Sequence, residues 1–240
     1  MTPTTPSERS RARELSHDRL TARFDELMDD YDLGQRVSTL LTRFLGADGL
    51  RGRRALDGGC GVGGVTRALV AAGADVVALD IGPNLAAETK QRCGCRAVVA
   101  TLTSLGIASN SFDVVVSSEA IEHTPDPAAA AAELYRAVKP GGHLVLSTPN
   151  RLWQGPVRAA SAIGLRPYDG YENFMWPSEL RRVLEGAGAR VVEHRGLHLW
   201  PFQITPLRRV SRWVDGFGDR LLPLMINQCI HAVKPGSRTP

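Results

Sequence analysis

A glycine-rich segment constrains the fold of this chain more than any other feature. The segment Asp57-Gly58-Gly59-Cys60-Gly61-Val62-Gly63-Gly64 follows a short apolar strand predicted over 53–57 and leads into a helix predicted over 62–72. Glycine lets a backbone approach a ligand closely and adopt positive φ. A strand–loop–helix unit of this kind directs the helix N-terminus at a bound small molecule. The alternative is a tight turn that binds nothing.

An acid at the end of the next predicted strand argues against that alternative. The strand covers 75–80 and ends in Asp80. A carboxylate there accepts hydrogen bonds from both hydroxyls of a ribose. The two features together predict a ligand that contains a nucleoside.

Apolar strands and amphipathic helices alternate along most of the chain. The predicted strands are 53–57, 75–80, 96–101, 113–117, 143–148, 189–194 and 225–233, and the predicted helices among them are 62–72, 84–92, 127–138, 177–185 and 206–222. Such alternation implies right-handed crossovers and parallel strands with helices on both faces. We therefore expect an α/β fold with a Rossmann-like, seven-stranded, mostly parallel sheet.

We expect one domain over 1–240, with two appendages at the ligand-binding edge. Residues 1–50 form a helical N-terminal cap, with helices predicted over 7–30 and 33–45, and 51–148 form the cofactor-binding core. Residues 149–176 are an aromatic-rich insertion after the fifth strand, and 177–240 add C-terminal helices and strands. Because ligands bind beyond the carboxyl ends of the strands, the insertion is expected to wall a substrate pocket. The alternative is a small satellite core.

Composition narrows the classes of partner. No stretch approaches the roughly 20 apolar residues of a membrane helix, and the N-terminus lacks the apolar region of a signal peptide. We therefore predict a cytoplasmic protein with no membrane partner. Residues 181–240 carry ten Lys and Arg against four Asp and Glu, but these arginines are dispersed, so nucleic acid is not the expected partner. A homodimer remains possible.

Further motifs extend the pattern beyond the glycine-rich segment. They are Ala78-Leu79-Asp80, Ser111-Phe112-Asp113-Val114-Val115, Glu119-Ala120-Ile121-Glu122-His123, Val138-Lys139-Pro140-Gly141-Gly142 and Leu146-Ser147-Thr148-Pro149-Asn150-Arg151. With the glycine-rich segment, they resemble the class I S-adenosylmethionine-dependent methyltransferases, strongly over 53–148 and more weakly over 20–50 and 177–233. Within that class the chain looks most like the O-methyltransferases of ubiquinone biosynthesis and the small-molecule methyltransferases of secondary metabolism.

The resemblance implies an enzyme that transfers a methyl group from S-adenosylmethionine to a small molecule. The expected acceptor is an oxygen of a secondary metabolite or quinone-like compound, and C- or N-methylation of a similar molecule is the alternative. A nicotinamide-dependent oxidoreductase is less favoured, because the spacing of Gly59, Gly61, Gly63 and Gly64 departs from the dinucleotide fingerprint. A non-catalytic scaffold would not be expected to retain Asp57, Asp80 and the Glu119-x-x-Glu122-His123 motif.

The resemblance also implies which residues hold the cofactor. The implied cofactor residues are Asp57, Gly58, Gly59 and Gly61 at the methionine end, Asp80 at the ribose, Ile81, Thr101 and Leu102 at the adenine, and Ser118 and Glu119 near the sulfonium. Many family members carry an acid at the position of Thr101. A hydroxyl accepts a weaker hydrogen bond than a carboxylate, so this one contact is expected to be weaker.

Glu119, Glu122 and His123 form the candidate catalytic cluster. His123 could be a general base whose ring a carboxylate orients. The three side chains could instead bind a divalent metal that holds two acceptor oxygens, since a helix would bring them together. A third interpretation is that Glu122 and His123 only cap the helix.

The insertion supplies the candidate substrate-binding residues. These are Asn150, Arg151, Trp153, Tyr168 and Tyr171. Arg151 suits an anionic or carbonyl oxygen, although it could equally pair with a nearby acid. His143, His194, His198 and His231 are expected to be structural or exposed, with His198 the strongest outside candidate for a pocket residue.

Overall fold

A computed structural model describes residues 6–23, 28–46, 48–164, 170–201, 206 and 208–236. The strands are β1 Arg54–Gly58, β2 Asp75–Asp80, β3 Arg96–Val99, β4 Phe112–Ser118, β5 Val138–Pro149, β6 Arg190–Leu197 and β7 Asn227–Val233. They form one sheet in the order β3-β2-β1-β4-β5-β7-β6. Strands β1 to β5 pair in parallel, and β7 runs antiparallel to both of its neighbours. The predicted seven-stranded, mostly parallel sheet is confirmed.

The helices occupy most of the predicted positions. They are α1 Pro6–Glu14, α2 Asp30–Val37, α3 Gly64–Ala71, α4 Pro83–Cys93, α5 Pro127–Ala137, α6 Gln154–Ala162, α7 Pro177–Gly186, α8 Arg208–Asp215 and α9 Gly218–Leu221. Short 3₁₀ turns cover Asp18–Arg23, Ile121–His123, Arg151–Trp153 and Leu222–Leu224, and α2 continues as a π-helical turn over Ser38–Arg43. None of these helices within the described ranges is long and apolar enough to cross a membrane.

Two predicted helices are shorter or broken. The helix expected over 7–30 is α1 followed by the separate turn Asp18–Arg23, and Phe24 and Leu27 of its expected apolar face lie outside the described residues. The helix expected over 206–222 is divided into α8 and α9 at Gly216 and Phe217. Glycine is a poor helix former, so a break at that position has an ordinary cause.

The sheet is buried on both faces. Successive residues of β1 belong to opposite cores: Ala55 packs with Leu40 and Leu69, whereas Leu56 packs with Leu134 of α5. This alternation follows from the two-residue period of a strand. Because both faces are apolar, polar side chains of the central strands emerge at the strand ends.

The strand order determines which end carries a site. β1 pairs with β2 on one side and β4 on the other, so the chain reverses its direction of winding between β1 and β4. In open α/β sheets, ligands bind beyond the carboxyl ends of the strands at such a reversal. Asp57, Asp80 and Ser118 all stand at this edge.

Candidate active site

The loop after β1 has a backbone that requires glycine. Gly59, Gly61 and Gly63 have φ values of 80°, 53° and 90°. The amides of Gly59 and Cys60 both donate to the carbonyl of Leu79, at 2.7 and 3.0 Å, which holds the loop against β2. A Cβ atom added to Gly59 would also collide with the Cβ atom of Ala120. The loop is therefore drawn tightly over the strand ends.

Asp57 ties this loop to the helix that follows it. Its Oδ2 atom accepts a 2.6 Å hydrogen bond from the hydroxyl of Thr66 in α3. Burial raises the pKa of Asp57 to about 6. The neighbouring Gly58 faces Leu134 in the core and lines neither of the cavities described below. Asp57 therefore orients the loop, and Gly58 permits close packing beneath it.

Asp80 joins the glycine loop to the start of α4. Its two carboxylate oxygens accept hydrogen bonds from the amides of Gly61 at 3.0 Å and Gly82 at 2.9 Å. Burial raises the pKa of Asp80 above its ordinary value. Each carboxylate oxygen can accept more than one hydrogen bond. Asp80 can therefore also accept hydrogen bonds from a diol in the cavity that it lines.

Two cavities meet at this edge of the sheet and share Gly59, Gly61 and Glu119. The predicted residues that line the first cavity are Gly59, Gly61, Asp80, Ile81, Thr101, Leu102, Glu119 and His123. The predicted residues that line the second are Asp57, Gly59, Gly61, Ser118 and Glu119. The first cavity lies over the β2 and β3 ends and the second over the glycine loop, so together they offer one elongated site.

The N-terminal segment forms part of the wall of the first cavity. Glu14, His17 and Asp18 line it, which the sequence patterns did not indicate for these individual residues. The carboxylate of Asp18 accepts hydrogen bonds from the amides of Asn84 and Leu85, at 2.9 and 3.1 Å, at the start of α4. Because unsatisfied amides occur at every helix N-terminus, this contact fastens the distant segment over the cavity.

Arg36 is a further cavity residue that the sequence patterns did not indicate. It lies on α2, is 5% exposed and lines the second cavity. Its Nε atom donates to Asp32 at 3.0 Å, and its Nη1 atom donates to the hydroxyl of Ser118 at 2.7 Å. The (i, i+4) spacing of Asp32 and Arg36 was visible in the sequence. The sequence did not show that this pair lies at the cavity, because that position depends on the contact of Arg36 with Ser118, which is distant in the chain.

Glu119 combines a strained backbone with a buried carboxyl group, one oxygen of which accepts no hydrogen bond among the described residues. It has a φ of 52°, a conformation that costs energy in a residue with a side chain. Its Oε2 atom accepts from the amide of Asn227 at 3.2 Å, whereas the buried Oε1 atom has no hydrogen-bond partner among the described residues. Burial, together with the charge of Glu122, raises the pKa of Glu119. A buried acceptor left in this state is well suited to a donor on a ligand.

Glu122 points away from the cavity that Glu119 and His123 line. The segment forms a 3₁₀ turn, Ile121–His123, and the predicted α-helical convergence does not occur. Glu122 is buried outside both cavities and accepts a 2.9 Å hydrogen bond from the hydroxyl of Thr148. Burial raises its pKa as well. Across the described ranges, no group of three or more His, Cys, Asp or Glu side chains is arranged to hold a metal ion.

His123 lines the first cavity with its ring held in a defined orientation. Its Nδ1 atom lies 2.8 Å from the carbonyl oxygen of Tyr171, so Nδ1 carries the proton and Nε2 is the basic nitrogen. The ring of His17 packs edge-on against it, with centroids 4.4 Å apart. The Nε2 atom lies 3.8 Å from the carboxyl of Glu122. The carbonyl of Tyr171 therefore orients the ring through Nδ1, and the carboxyl of Glu122 lies at the longer distance on the Nε2 side.

Three predicted substrate residues hold the C-terminal segment together and line neither cavity. Asn150 is fully buried, and its amide donates to the carbonyls of residues 222, 223 and 225. Trp153 donates to the carbonyl of Leu224 at 3.0 Å. Arg151 is half exposed and lies 4.0 Å from Glu179, which agrees with the alternative that it pairs with an acid.

The remaining two substrate candidates have different outcomes. Tyr171 contacts the site through its carbonyl, while its hydroxyl lies 3.0 Å from that of Ser10 and Arg13 lies over its ring at 4.3 Å. Tyr168 lies outside the described residues. The N-terminal segment thus supplies more of the first cavity than the aromatic insertion does.

Comparisons with known proteins point to one enzyme class. A family described as a methyltransferase domain matches residues 56–146. The ubiquinone biosynthesis O-methyltransferase of Acinetobacter baumannii (strain AYE) is 31% identical over 205 residues, which cover 80% of this chain and 81% of that protein. The protein of the same description from Methylococcus capsulatus is 32% identical over 174 residues, covering 67% of this chain and 73% of that one.

Solved structures agree on the fold. Magnesium protoporphyrin IX methyltransferase from Synechocystis, with bound SAH, has a TM-score of 0.67 at 19% identity, covering 94% of this chain and 99% of that chain. An S-adenosylmethionine-dependent methyltransferase from Mesorhizobium loti has a TM-score of 0.63 at 20% identity, covering 82% and 95% of the two chains.

Proposed function

Because this chain belongs to the class I S-adenosylmethionine-dependent methyltransferases, we propose that it methylates an oxygen of a small, quinone-like acceptor or related secondary metabolite. The chain is an enzyme that transfers a methyl group from S-adenosylmethionine. The acceptor oxygen is supported by the curated relatives, which carry the description of O-methyltransferases. The observation that carries the proposal is the oriented imidazole of His123, which shares a cavity with Asp80 and Glu119.

The first cavity suits the nucleoside part of the cofactor. Asp80 accepts hydrogen bonds from the ribose hydroxyls, and Gly61 and Gly82 keep its carboxylate in place. Ile81 and Leu102 supply apolar surface for the adenine in the same cavity. The absence of side chains at Gly59 and Gly61 lets the ligand approach the loop backbone.

The second cavity suits the amino-acid part. The guanidinium of Arg36 pairs with the carboxylate of the cofactor's amino-acid group. It can do so because its contacts with Asp32 and Ser118 leave some of its N–H donors available. The unpartnered Oε1 atom of Glu119 accepts from the ammonium group. A guanidinium and a carboxyl group in one cavity match the carboxylate and the ammonium group of a free amino acid.

The chain's own residues position the acceptor and manage a proton. The sulfonium of the bound cofactor supplies a methyl group that is already electrophilic. His123 accepts the acceptor's hydroxyl proton at Nε2, while the Tyr171 carbonyl stabilises the imidazolium through Nδ1. Glu14, His17 and Thr124 form walls of the same cavity. Holding the acceptor oxygen near the methyl group adds a rate enhancement from proximity and orientation.

The metal-assisted alternative has less support from the arrangement. Glu122 is engaged by Thr148 outside the cavities, so it does not converge with Glu119 and His123 on one point. The general base is therefore the mechanism that we propose. The single-domain organisation, a homodimer and the exclusion of nucleic acid stay predictions.

The proposal is tested by labelled methyl transfer from S-adenosylmethionine to a catechol, a phenol, an aliphatic amine and an enol. NMR of the product identifies the methylated atom. Transfer to the catechol or phenol oxygen supports the proposal, and transfer to nitrogen or carbon alone refutes the acceptor class.

The proton acceptor is tested in the same assay with a chelator and with His123→Ala. We expect full activity in chelator and a loss of at least about a hundredfold in kcat for the variant. His143→Ala is the matched control, because His143 contacts His231 and pairs with Val114 near the start of β4, away from the carboxyl ends of the strands that carry the site. Loss of activity in chelator, restored by a divalent cation, would contradict the base mechanism.

A further inference from the structure

A buried chain of polar groups connects the C-terminal segment to the second cavity. His198 directly follows β6 and is fully buried. Its Nε2 atom lies 3.1 Å from Oδ1 of Asp32, and its Nδ1 atom lies 3.6 Å from Oδ2 of Asp215. Its own backbone amide donates to Oδ1 of Asp215 at 2.8 Å. The imidazole thus bridges carboxylates from α2 and α8.

Asp32 shares its two oxygens between this histidine and Arg36. His198 contacts Oδ1, and Arg36 contacts Oδ2 through Nε at 3.0 Å and Nη2 at 2.8 Å. Burial alone would favour a neutral Asp32, but Arg36 and His198 outweigh it and lower the pKa of Asp32. The carboxylate is therefore a charged link between His198 and the guanidinium.

The backbone of His198 indicates that the ring position is specified. Its φ is 60°, in the left-handed region that residues with side chains rarely adopt. Such strain persists only where surrounding contacts over-determine a residue. Here the contacts are the two carboxylates and the ring of Tyr31, whose centroid lies 5.8 Å away.

Helix α8 makes a second set of contacts with α2 and its N-terminal cap. Arg208 of α8 contacts Asp29 at 2.6 Å, and Asp29 caps the N-terminus of α2. The hydroxyl of Tyr31 donates to the carbonyl of Arg208 at 3.1 Å. The helix that carries Arg36 is therefore oriented by residues from the end of the chain.

We propose that His198, seated between Asp32 and Asp215, is a positioning residue that holds the Arg36 guanidinium in place for the amino-acid end of the cofactor. This inference rests on the role of Arg36 proposed above. His198 touches neither cavity, so it acts through Asp32. His198 and α8 thereby contribute to cofactor affinity without lining either cavity.

The test compares two ligands that differ at the amino-acid end. S-adenosylhomocysteine contains the amino-acid group, whereas 5′-methylthioadenosine lacks it and retains the nucleoside. In His198→Asn we expect the Kd of S-adenosylhomocysteine to rise about tenfold and that of 5′-methylthioadenosine to change by less than about twofold. Asparagine is chosen because it adopts the left-handed backbone more readily than most residues. His198→Gln, whose amide can reach Asp32, should restore part of the affinity.

The matched control is His194→Asn. His194 lies on β6, the strand that His198 follows; it is partly buried and contacts Gln228 at 3.0 Å, outside this chain of polar groups. It should leave both Kd values unchanged. Equal weakening of both ligands in His198→Asn would indicate a general loss of structure and overturn the inference, as would no change in either.

Arg36→Met separates failure of this inference from failure of the proposed function. If it selectively weakens S-adenosylhomocysteine while His198→Asn does not, only the role of His198 is refuted. If Arg36→Met also leaves the ratio of the two Kd values unchanged, the proposed role of Arg36 fails first. Thermal unfolding checks each variant, and Asp215→Asn, which keeps an acceptor for the His198 amide, gives the same comparison if neither His198 variant folds.

Discussion

Asp80→Asn tests the central feature of the proposed cofactor site. Both carboxylate oxygens accept from backbone amides, of Gly61 and Gly82. Asparagine keeps the shape but replaces one oxygen with a donor, so one amide loses its acceptor and one ribose hydroxyl loses a charged partner. Hydrogen bonds to charged groups contribute about 1.5–3 kcal/mol each. Loss of one such bond to the ligand corresponds to roughly a 10- to 100-fold rise in Kd.

Stability should change less than affinity. Burial raises the pKa of Asp80, which means that the folded protein already disfavours its ionised form. Removing the charge therefore offsets part of the free energy that is lost with the amide hydrogen bond. We expect the free energy of unfolding to change by less than about 1.5 kcal/mol.

The assay is calorimetric titration with S-adenosylhomocysteine, beside urea unfolding of each variant. Asp75→Asn is the matched control, because Asp75 begins the same strand and is exposed in an ion pair with Arg96. Exposed pairs contribute about 0–1 kcal/mol, so this variant should bind S-adenosylhomocysteine like the wild type. A folded Asp80→Asn variant that binds within about twofold of the wild type would refute the role of Asp80.

Two further predictions follow from the other titratable groups. Glu119→Gln should weaken binding of S-adenosylhomocysteine yet raise the free energy of unfolding, because burial and Glu122 raise the pKa of Glu119. That stabilisation should be larger at about pH 8 than at about pH 5, since the wild type loses stability as pH rises above the ordinary glutamate pKa; an equal effect at both pH values would contradict it. Burial lowers the pKa of His194 to about 4, so the wild type should lose stability as pH falls from about 6.5 towards 4. His194→Gln should reduce the slope of urea-unfolding free energy against pH in this range, and an unchanged slope would count against the assignment.

The fold was predictable because its determinants are local or periodic. Strand and helix periods and the glycine-rich segment each specify a piece of backbone with little help from elsewhere. The turn predicted at 139–142 was wrong, because these residues belong to β5. The loop glycines were predictable for the same reason, since positive φ at Gly59 and Gly61 is a property of the local chain. Asp80 followed from its position at a strand end in a parallel sheet.

The parts of the site that were missed depend on contacts between distant residues. Arg36 is held at the site by its hydrogen bond to Ser118, and Asp18 accepts a hydrogen bond at the start of α4, a helix distant from it in the chain. The Glu119–His123 motif was visible, but its geometry was not, because a 3₁₀ turn directs Glu122 away from His123's cavity. Asn150 likewise follows a strand at the site edge and yet packs against the C-terminal segment.

From sequence alone, the glycine-rich segment and Asp80 therefore predicted a nucleoside-binding site, and the sequence determined that these residues stand at the carboxyl ends of β1 and β2. Tertiary structure alone decided which charged groups line the second cavity. Backbone conformation at a glycine loop is a short-range property, whereas the position of a buried charge is determined by the partners that compensate its desolvation. For Arg36 these partners come from α2, from the end of β4 and, through Asp32, from His198 near the end of the chain.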